Sequence, residues 1–466
     1  MGKVTRYTML VLSILLLVVW VIPAVAEVYV QCPCLKANPI TGKPDPTLLK
    51  PGAAYNPATQ NIECTNVTDT NGVLHASVAC KALTAGDGHV IMGDTNDIYI
   101  FGFDDVTGVP VNQIMNMVND PTAPGGMRGA EASAPTILAK AGQEFYLTLT
   151  NMGMFERPDL ADPHTVHNHG FPNAASVFDG EPMASIAINM GESLSYYYAF
   201  QEPGTYMYHC HVEASEHMQM GMLGNLNVRP QQDGQSVIFN AKTYTNFAYN
   251  DCAGLSGGNR LDPGCGSTGY DVMYPLEVTA FDPDFHRSDN SYNDIDFGFM
   301  RDAYQLFNGR GYPYTINPCG RQSAYPTVPS NYPACAHPEQ LYSQILSTPD
   351  VNVSSQKVSG LITAKLGQKI LIHFPSLATS EFNTVTLLGL PMQIVGQGAR
   401  QYKGPTGLLY YNNPKSITLG GGEGFDILID TSKAKAGTYF MYSNNLNQLS
   451  NDAQDYGGLM TEIVIN

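Results

Sequence analysis

Three segments of this chain recur in the same order, roughly 220 to 230 residues apart, and that recurrence restricts the fold more than any other feature. Ala139-Lys-Ala-Gly-Gln143 leads into Glu144-Phe-Tyr-Leu-Thr-Leu-Thr150, just as Ala364-Lys-Leu-Gly-Gln368 leads into Lys369-Ile-Leu-Ile372. Thr165-Val-His-Asn-His-Gly-Phe-Pro172 is matched by Thr384-Val-Thr-Leu-Leu-Gly-Leu-Pro391. Gly204-Thr-Tyr-Met-Tyr-His-Cys-His211 is matched by Gly437-Thr-Tyr-Phe-Met-Tyr-Ser-Asn444. The first pair reads as a tight turn entering a strand, with Phe145, Leu147 and Leu149 alternating as a half-buried strand requires. The chain is expected to be all-β, two copies of one sandwich domain, because short strands with Gly and Pro turns dominate and no long helical pattern appears. The polar, turn-rich stretch Arg229-Pro-Gln-Gln-Asp-Gly234 marks the junction, giving domains over 95–230 and 231–466.

Composition narrows the class. Of 466 residues 43% are hydrophobic, which excludes a disordered chain. The 41 acidic side chains outnumber 24 basic ones, and no basic run exists to meet phosphates, so nucleic acid is excluded as a partner. Lys3 and Arg6 precede an apolar run from Met9 to Ile22 that ends at Ala24-Val25-Ala26. Residues 1–26 therefore read as a signal peptide cleaved before Glu27. An uncleaved anchor is the rival, but the run is short for a span. Cleavage takes the net charge from −17 to −19 and predicts a secreted, periplasmic or cell-envelope protein with no membrane span.

Nine cysteines leave one without a partner. Cys32, Cys34, Cys64 and Cys80 lie in an N-terminal extension, 27–94, where two disulfides are expected. A metal site there is disfavoured because Cys32-Pro-Cys34 lacks metal-binding spacing and only His75 and His89 lie near. Cys252 with Cys265, and Cys319 with Cys335, are spaced for local bridges. The remainder is Cys210.

Cys210 sits in His209-Cys210-His211, followed by His217 and Met222, and upstream lies His164-Thr-Val-His167-Asn-His169-Gly170. Strand side chains alternate faces, so His209 and His211 point one way and Cys210 the other. If the upstream segment is also extended, His167 and His169 share one face and His164 takes the opposite one. Four imidazoles then gather on one side, with His164, Cys210, His217 and Met222 on the other. Two imidazoles, a thiolate and a thioether form the ligand set of a blue-copper site, and an all-imidazole cluster suits copper that meets a small oxygen species. Met220 is a rival axial ligand to Met222. A free buried thiol in a metal-free domain is the plain alternative, as are imidazoles bonded to one another or to water.

These motifs resemble those of the multicopper oxidases of the cupredoxin superfamily. The HxxHxHG segment from His164 and the HCH segment reaching Met222 are similar to that family's third and fourth ligand motifs. Pro135–Gly142, Phe178-Asp-Gly180 and Pro203–Tyr206 resemble framework segments. Phe307-Asn-Gly309 and Leu419-Gly-Gly-Gly-Glu423 look like parts of a copper-free domain. The resemblance implies two cupredoxin-like Greek-key β-sandwich domains. It also implies a type 1 copper on His164, Cys210, His217 and Met222. A second, catalytic centre would lie on His167, His169, His209 and His211.

Three departures qualify it. The family's three-copper cluster uses eight histidines, whereas the second repeat offers Asn383, Thr386, Leu388, Ser443 and Asn444. The Cys210-to-His217 spacing is two residues longer than usual. Asn168 stands where the family often has a bulky apolar residue, which is expected to make the second centre wetter. A homo-oligomer could pool four histidines per subunit, a single copper could use two or three, resembling copper nitrite reductases, or the second centre could be empty. The expectation is an exported copper-dependent oxidoreductase passing single electrons from an unidentified donor to dioxygen or a small oxo species. The competing expectation is a non-enzymatic blue-copper carrier. Met115, Met117 and Met127 read as core filler, and His75, His89, His286, His337 and His373 have no motif partners. Asn66-Val-Thr68 and Asn352-Val-Ser354 fit a glycosylation pattern.

Overall fold

The computed structural model describes residues 31–111, 114, 130–252, 264–316 and 358–466, apart from 95, 172–173 and 294–295. The expected signal segment, Cys319, Cys335, Met115, Met117, Met127 and Asn352 lie outside these. Among the described residues no helix is long and apolar enough to cross a membrane.

Counting only strands that build the sandwiches, the first domain contains β1 (Ala54–Asn56), β2 (Asn61–Thr68), β3 (Leu74–Ile91), β4 (Asp97–Asp105) and β5 (Ala134–Lys140). It continues through β6 (Glu144–Asn151), β7 (His167–His169), β8 (Ser193–Ala199), β9 (Gly204–His209), the short helix α1 (Ala214–Gln219) and β10 (Leu223–Arg229). One sheet runs β8-β6-β3-β2-β1 with β4 also on β3, and the other runs β5-β10-β9-β7. Phe145, Leu147 and Leu149 of β6 meet Tyr206 and Tyr208 of β9 and Leu226 and Val228 of β10 in one core. The alternation in the sequence thus marks the buried face.

The described part of the 27–94 extension is more than a lead-in. Strand β3 pairs in parallel with β6 from Val78↔Glu144 to Ala85↔Asn151, then antiparallel with β4 from Leu83↔Asp105 onward. Position 94 therefore separates two strands that are paired to each other. Disulfides Cys32–Cys80 and Cys34–Cys64 fasten the segment, Cys252–Cys265 closes a local loop, and Cys210 is free.

The second domain contains β11 (Val272–Pro275), β12 (Ile362–Ala364), β13 (Lys369–Pro375), β14 (Asn383–Leu387), β15 (Gln393–Gln397) and β16 (Arg400–Gln401). It ends with β17 (Ser416–Leu419), β18 (Gly424–Asp430), β19 (Gly437–Ser443) and β20 (Met460–Ile465). Its sheets run β11-β13-β18-β15-β16 and β12-β20-β19-β14-β17. The repeat holds to the residue: His167↔His209 and Gly204↔Val228 correspond to Thr386↔Tyr442 and Gly437↔Ile465.

Strand β9 joins the halves. Its even positions, Tyr206 and Tyr208, enter the first core, while Met207 packs with Leu377 of the second domain. Thr205 donates to Asp426 Oδ1 at 2.6 Å and lies 2.7 Å from His373 Nδ1. Near the same junction Glu277 is wholly buried, one carboxyl oxygen lacks a partner, and burial pushes its carboxyl up to about 8. The folded pKa exceeds the ordinary 4.5, so the native state holds the proton. Stability then falls as pH rises through that window, by roughly 1.4 kcal/mol per unit. Glu277→Gln should therefore melt like the wild type near pH 5 and well above it near pH 8, as thermal unfolding at both values checks.

Candidate metal centres

The first group forms where β9 leaves its sheet. Cys210 is fully buried, its N–H donates to the Met222 carbonyl at 3.1 Å, and its sulfur accepts the Thr165 N–H at 3.4 Å. His164 is set by a bridge to Ile188 and places Nδ1 3.8 Å from the sulfur. His217 lies on α1 and places Nδ1 3.1 Å from the sulfur. These three donors converge within 4.8 Å. Met222 and Met220 are both buried in the same core.

Donor chemistry suits a soft cation. Burial drives His164 well below its usual pKa and His217 down to about 4, so both imidazoles are neutral with lone pairs available. Both Nε2 atoms are buried without partners. Burial pushes the Cys210 thiol up to about 11. A bound cation would reverse that by favouring thiolate. On the outer side, Asp162 and Glu213 converge with His217, and an Asp162 oxygen stands 3.9 Å from His217 Nε2. Burial raises Asp162, Glu216 to about 7, and Asp289 to about 6.

The second group occupies the opposite face of the same strands, as the alternation requires. Ring centroids of His167 lie 6.0 Å from His169, 5.3 Å from His209 and 4.9 Å from His211. His209 Nδ1 donates to the Cys210 carbonyl at 2.8 Å, and His167 Nδ1 donates to the Asp179 carbonyl at 2.7 Å. Each bond leaves Nε2 as the free acceptor, the usual preparation of a metal-binding imidazole. Gly180 makes the second bond possible, because a Cβ there would lie 2.1 Å from the Val166 carbonyl oxygen. Burial drives His209 down to about 3 and lowers His169, with neighbouring imidazoles adding to the effect.

Asn168 does not wet this centre. It is 4% exposed and, by strand parity between His167 and His169, faces away from the imidazoles. At the repeat-equivalent positions of the second domain no imidazole stands: Asn383 is buried and bonded to Gln305, and Leu388 is 58% exposed. The four rings cluster, yet the convergent donor sets among the described residues do not include them.

A cavity of about 410 Å³ opens on His169 and His209 and is walled by Met218, Met300, Thr379, Ser380 and Gly422 among others. Gly422 has φ +90°, and a Cβ there would stand 3.0 Å from His169. Backbone of the same chain therefore closes one side of the cavity at His169. Reading the sequence missed these wall residues; the Gly420-Gly-Gly422 run was their one visible signal.

Residues 127–233, which contain both histidine segments, match the family model for multicopper oxidase. That segment is similar to a multicopper oxidase domain. The chain's fold is similar to that of the blue copper oxidase from Nitrosomonas europaea, with 18% identity over 82% of this chain and 85% of that one and a TM-score of 0.53. The multicopper oxidase mgLAC matches at 16% identity over 83% and 85%, also with a TM-score of 0.53. No curated protein sequence matches the chain. The matched segment presents the buried sulfur and neutral imidazoles that copper takes.

Proposed function

We propose that the protein is an exported copper-dependent oxidoreductase that draws single electrons at Cys210 and delivers them to the imidazole cluster on the other face of β9. The observation that carries this reading is the arrangement of the two donor groups back to back on one strand. His164, Cys210, His217 and Met222 would hold the first copper, and His167, His169, His209 and His211 the second centre. Copper supplies reversible one-electron exchange at the sulfur site and binding of a small oxygen species at the imidazoles.

The chain's own groups do the rest. His209 bonds to the Cys210 carbonyl, so a covalent and hydrogen-bonded path joins the two faces within two residues. Asp179 orients His167, and the cavity beside His169 gives a small acceptor room while the second domain limits access. Asp162 and Glu213 beside His217 would favour a cationic donor over an anionic one. Three disulfides among the described residues suit an oxidising compartment, in keeping with the proposed signal segment.

The second reading, a carrier with one blue copper, is favoured by the absence of a converged donor set among the four imidazoles. Copper analysis with visible and EPR spectra decides between them. More than one copper per chain with oxygen uptake is expected. A single copper with an intense blue band and no second signal would establish the carrier, and protein that stays copper-free after loading would defeat both.

A further inference from the structure

Cys210, His164 and His217 are wholly shielded from solvent, so an electron bound for them has to cross protein. One line of rings leads outward. His217 meets Phe101 with centroids 5.7 Å apart, Phe101 meets Tyr99 at 5.6 Å, and Tyr99 meets its cross-strand partner His89 at 5.7 Å. Phe101 and Tyr99 are buried, whereas the His89 side chain is 30% exposed.

Tyr99 is the readily oxidised member of that line, and it has its own proton acceptor. Its hydroxyl donates to Asp87 Oδ2 at 2.9 Å. Asp87 is 2% exposed and also accepts the N–H groups of Phe155 and Glu156, both at 2.8 Å. Other buried tyrosines near Cys210 lack a carboxylate acceptor: Tyr208 donates to the Pro135 carbonyl, and the Tyr198 hydroxyl has no partner.

We propose that Tyr99 and Asp87 form a redox-active pair that relays single electrons between the surface at His89 and the Cys210 centre. The proposal rests on the copper reading above. Tyr99 gives one electron to the oxidised copper(II) centre through Phe101 and His217, and its O–H bond breaks as the proton passes to Asp87 Oδ2. An external one-electron donor then reduces the phenoxyl radical by way of His89, and the proton returns to the phenol.

The pair's charge explains why burial helps. Reduced, it carries one negative charge in a low-dielectric interior. Oxidised, it is a neutral phenoxyl beside a neutral carboxylic acid, and the penalty for burying charge is gone. Burial and the neighbouring Asp87 hold the phenol protonated far above ordinary pH. Electron loss is therefore tied to the proton shift.

A ruthenium polypyridyl photo-oxidant coordinated to His89 tests the relay by laser flash, with His89→Gln reporting labels elsewhere. In copper-free protein the flash should produce a phenoxyl absorbance and radical EPR signal that Tyr99→Phe abolishes and Asp87→Asn strongly reduces. In copper-loaded, prereduced protein the blue band should appear about an order of magnitude more slowly in Tyr99→Phe than in wild type. A wild type without the phenoxyl signal, or a signal and rate unchanged in Tyr99→Phe, would overturn the proposal. A protein that forms the phenoxyl but never turns blue defeats the copper reading instead, so the two failures are told apart.

Discussion

Cys210→Ser is expected to abolish the intense blue absorption of the copper-loaded protein and to remove one copper per chain while leaving the fold in place. The sulfur is the only soft anionic donor in the proposed set, and the blue colour belongs to a copper–thiolate bond. A hydroxyl in the same place stays protonated, accepts the Thr165 N–H that the sulfur now takes at 3.4 Å, and offers copper little. The fold should survive because the change removes no large group from the core; a loss of about 1–2 kcal/mol is in the ordinary range for a buried substitution. The imidazoles on the other face do not touch the sulfur, so copper retained there should keep its EPR signal. Visible and EPR spectra with copper analysis check the result. A Cys210→Ser protein that stays blue would remove Cys210, and with it His164 and His217, from the ligand set.

Much of this site was legible in the residues because strand geometry leaves few choices. Alternation alone separates Cys210 from His209 and His211, and the repeat equates His167 with Thr386 and His209 with Tyr442, although only the structure shows that each pair lies side by side. The free cysteine emerged from pairing the others, although which partners Cys32 and Cys34 choose depends on how β2 and β3 lie together, which no spacing encodes. The reach of β3 was hidden for the same reason. Its pairing with β6 spans a long separation in sequence, and nothing local announces a parallel neighbour. Asn168 misled because a polar residue between two ligands reads as wetting them, whereas the pleat turns it to the other side. His373 looked unattached, yet it bonds Asp426 on the neighbouring strand at 2.7 Å, and Thr205 reaches both from the first domain. Tyr99 and Asp87 carry no motif at all. Their meaning comes from rings brought together by the β3–β4 pairing.

Asp426→Ala is expected to be the most destabilising single change outside the ligand set and to disturb the imidazole cluster while sparing the blue band. The carboxylate is fully buried and accepts from Thr205 at 2.6 Å, from His373 at 2.7 Å and from Tyr249 through a very short bond. Burial opposes its ionisation, but bonds from His373, Thr205 and Tyr249 outweigh it and hold the carboxyl below its usual range. Removing the acceptor leaves the buried Tyr249 phenol without a partner and takes from the Thr205 hydroxyl and the His373 imidazole the carboxylate they share, a kind of loss that costs about 3–5 kcal/mol. Denaturant unfolding should show that deficit. Because the native pKa is lowered, the stabilisation is present above the unfolded value of 3.8 and is lost as pH falls through the native one. The gap between wild type and Asp426→Asn should therefore narrow in strong acid. Thr205, Met207 and His209 share one face of β9, so freeing Thr205 loosens the face that carries the imidazoles. Cys210 and its partners face the other way, into the first core. An unchanged blue band with altered second-centre EPR and oxygen uptake is the expected signature, and equal damage to both centres would mean that the junction supports β9 as a whole and not one face of it.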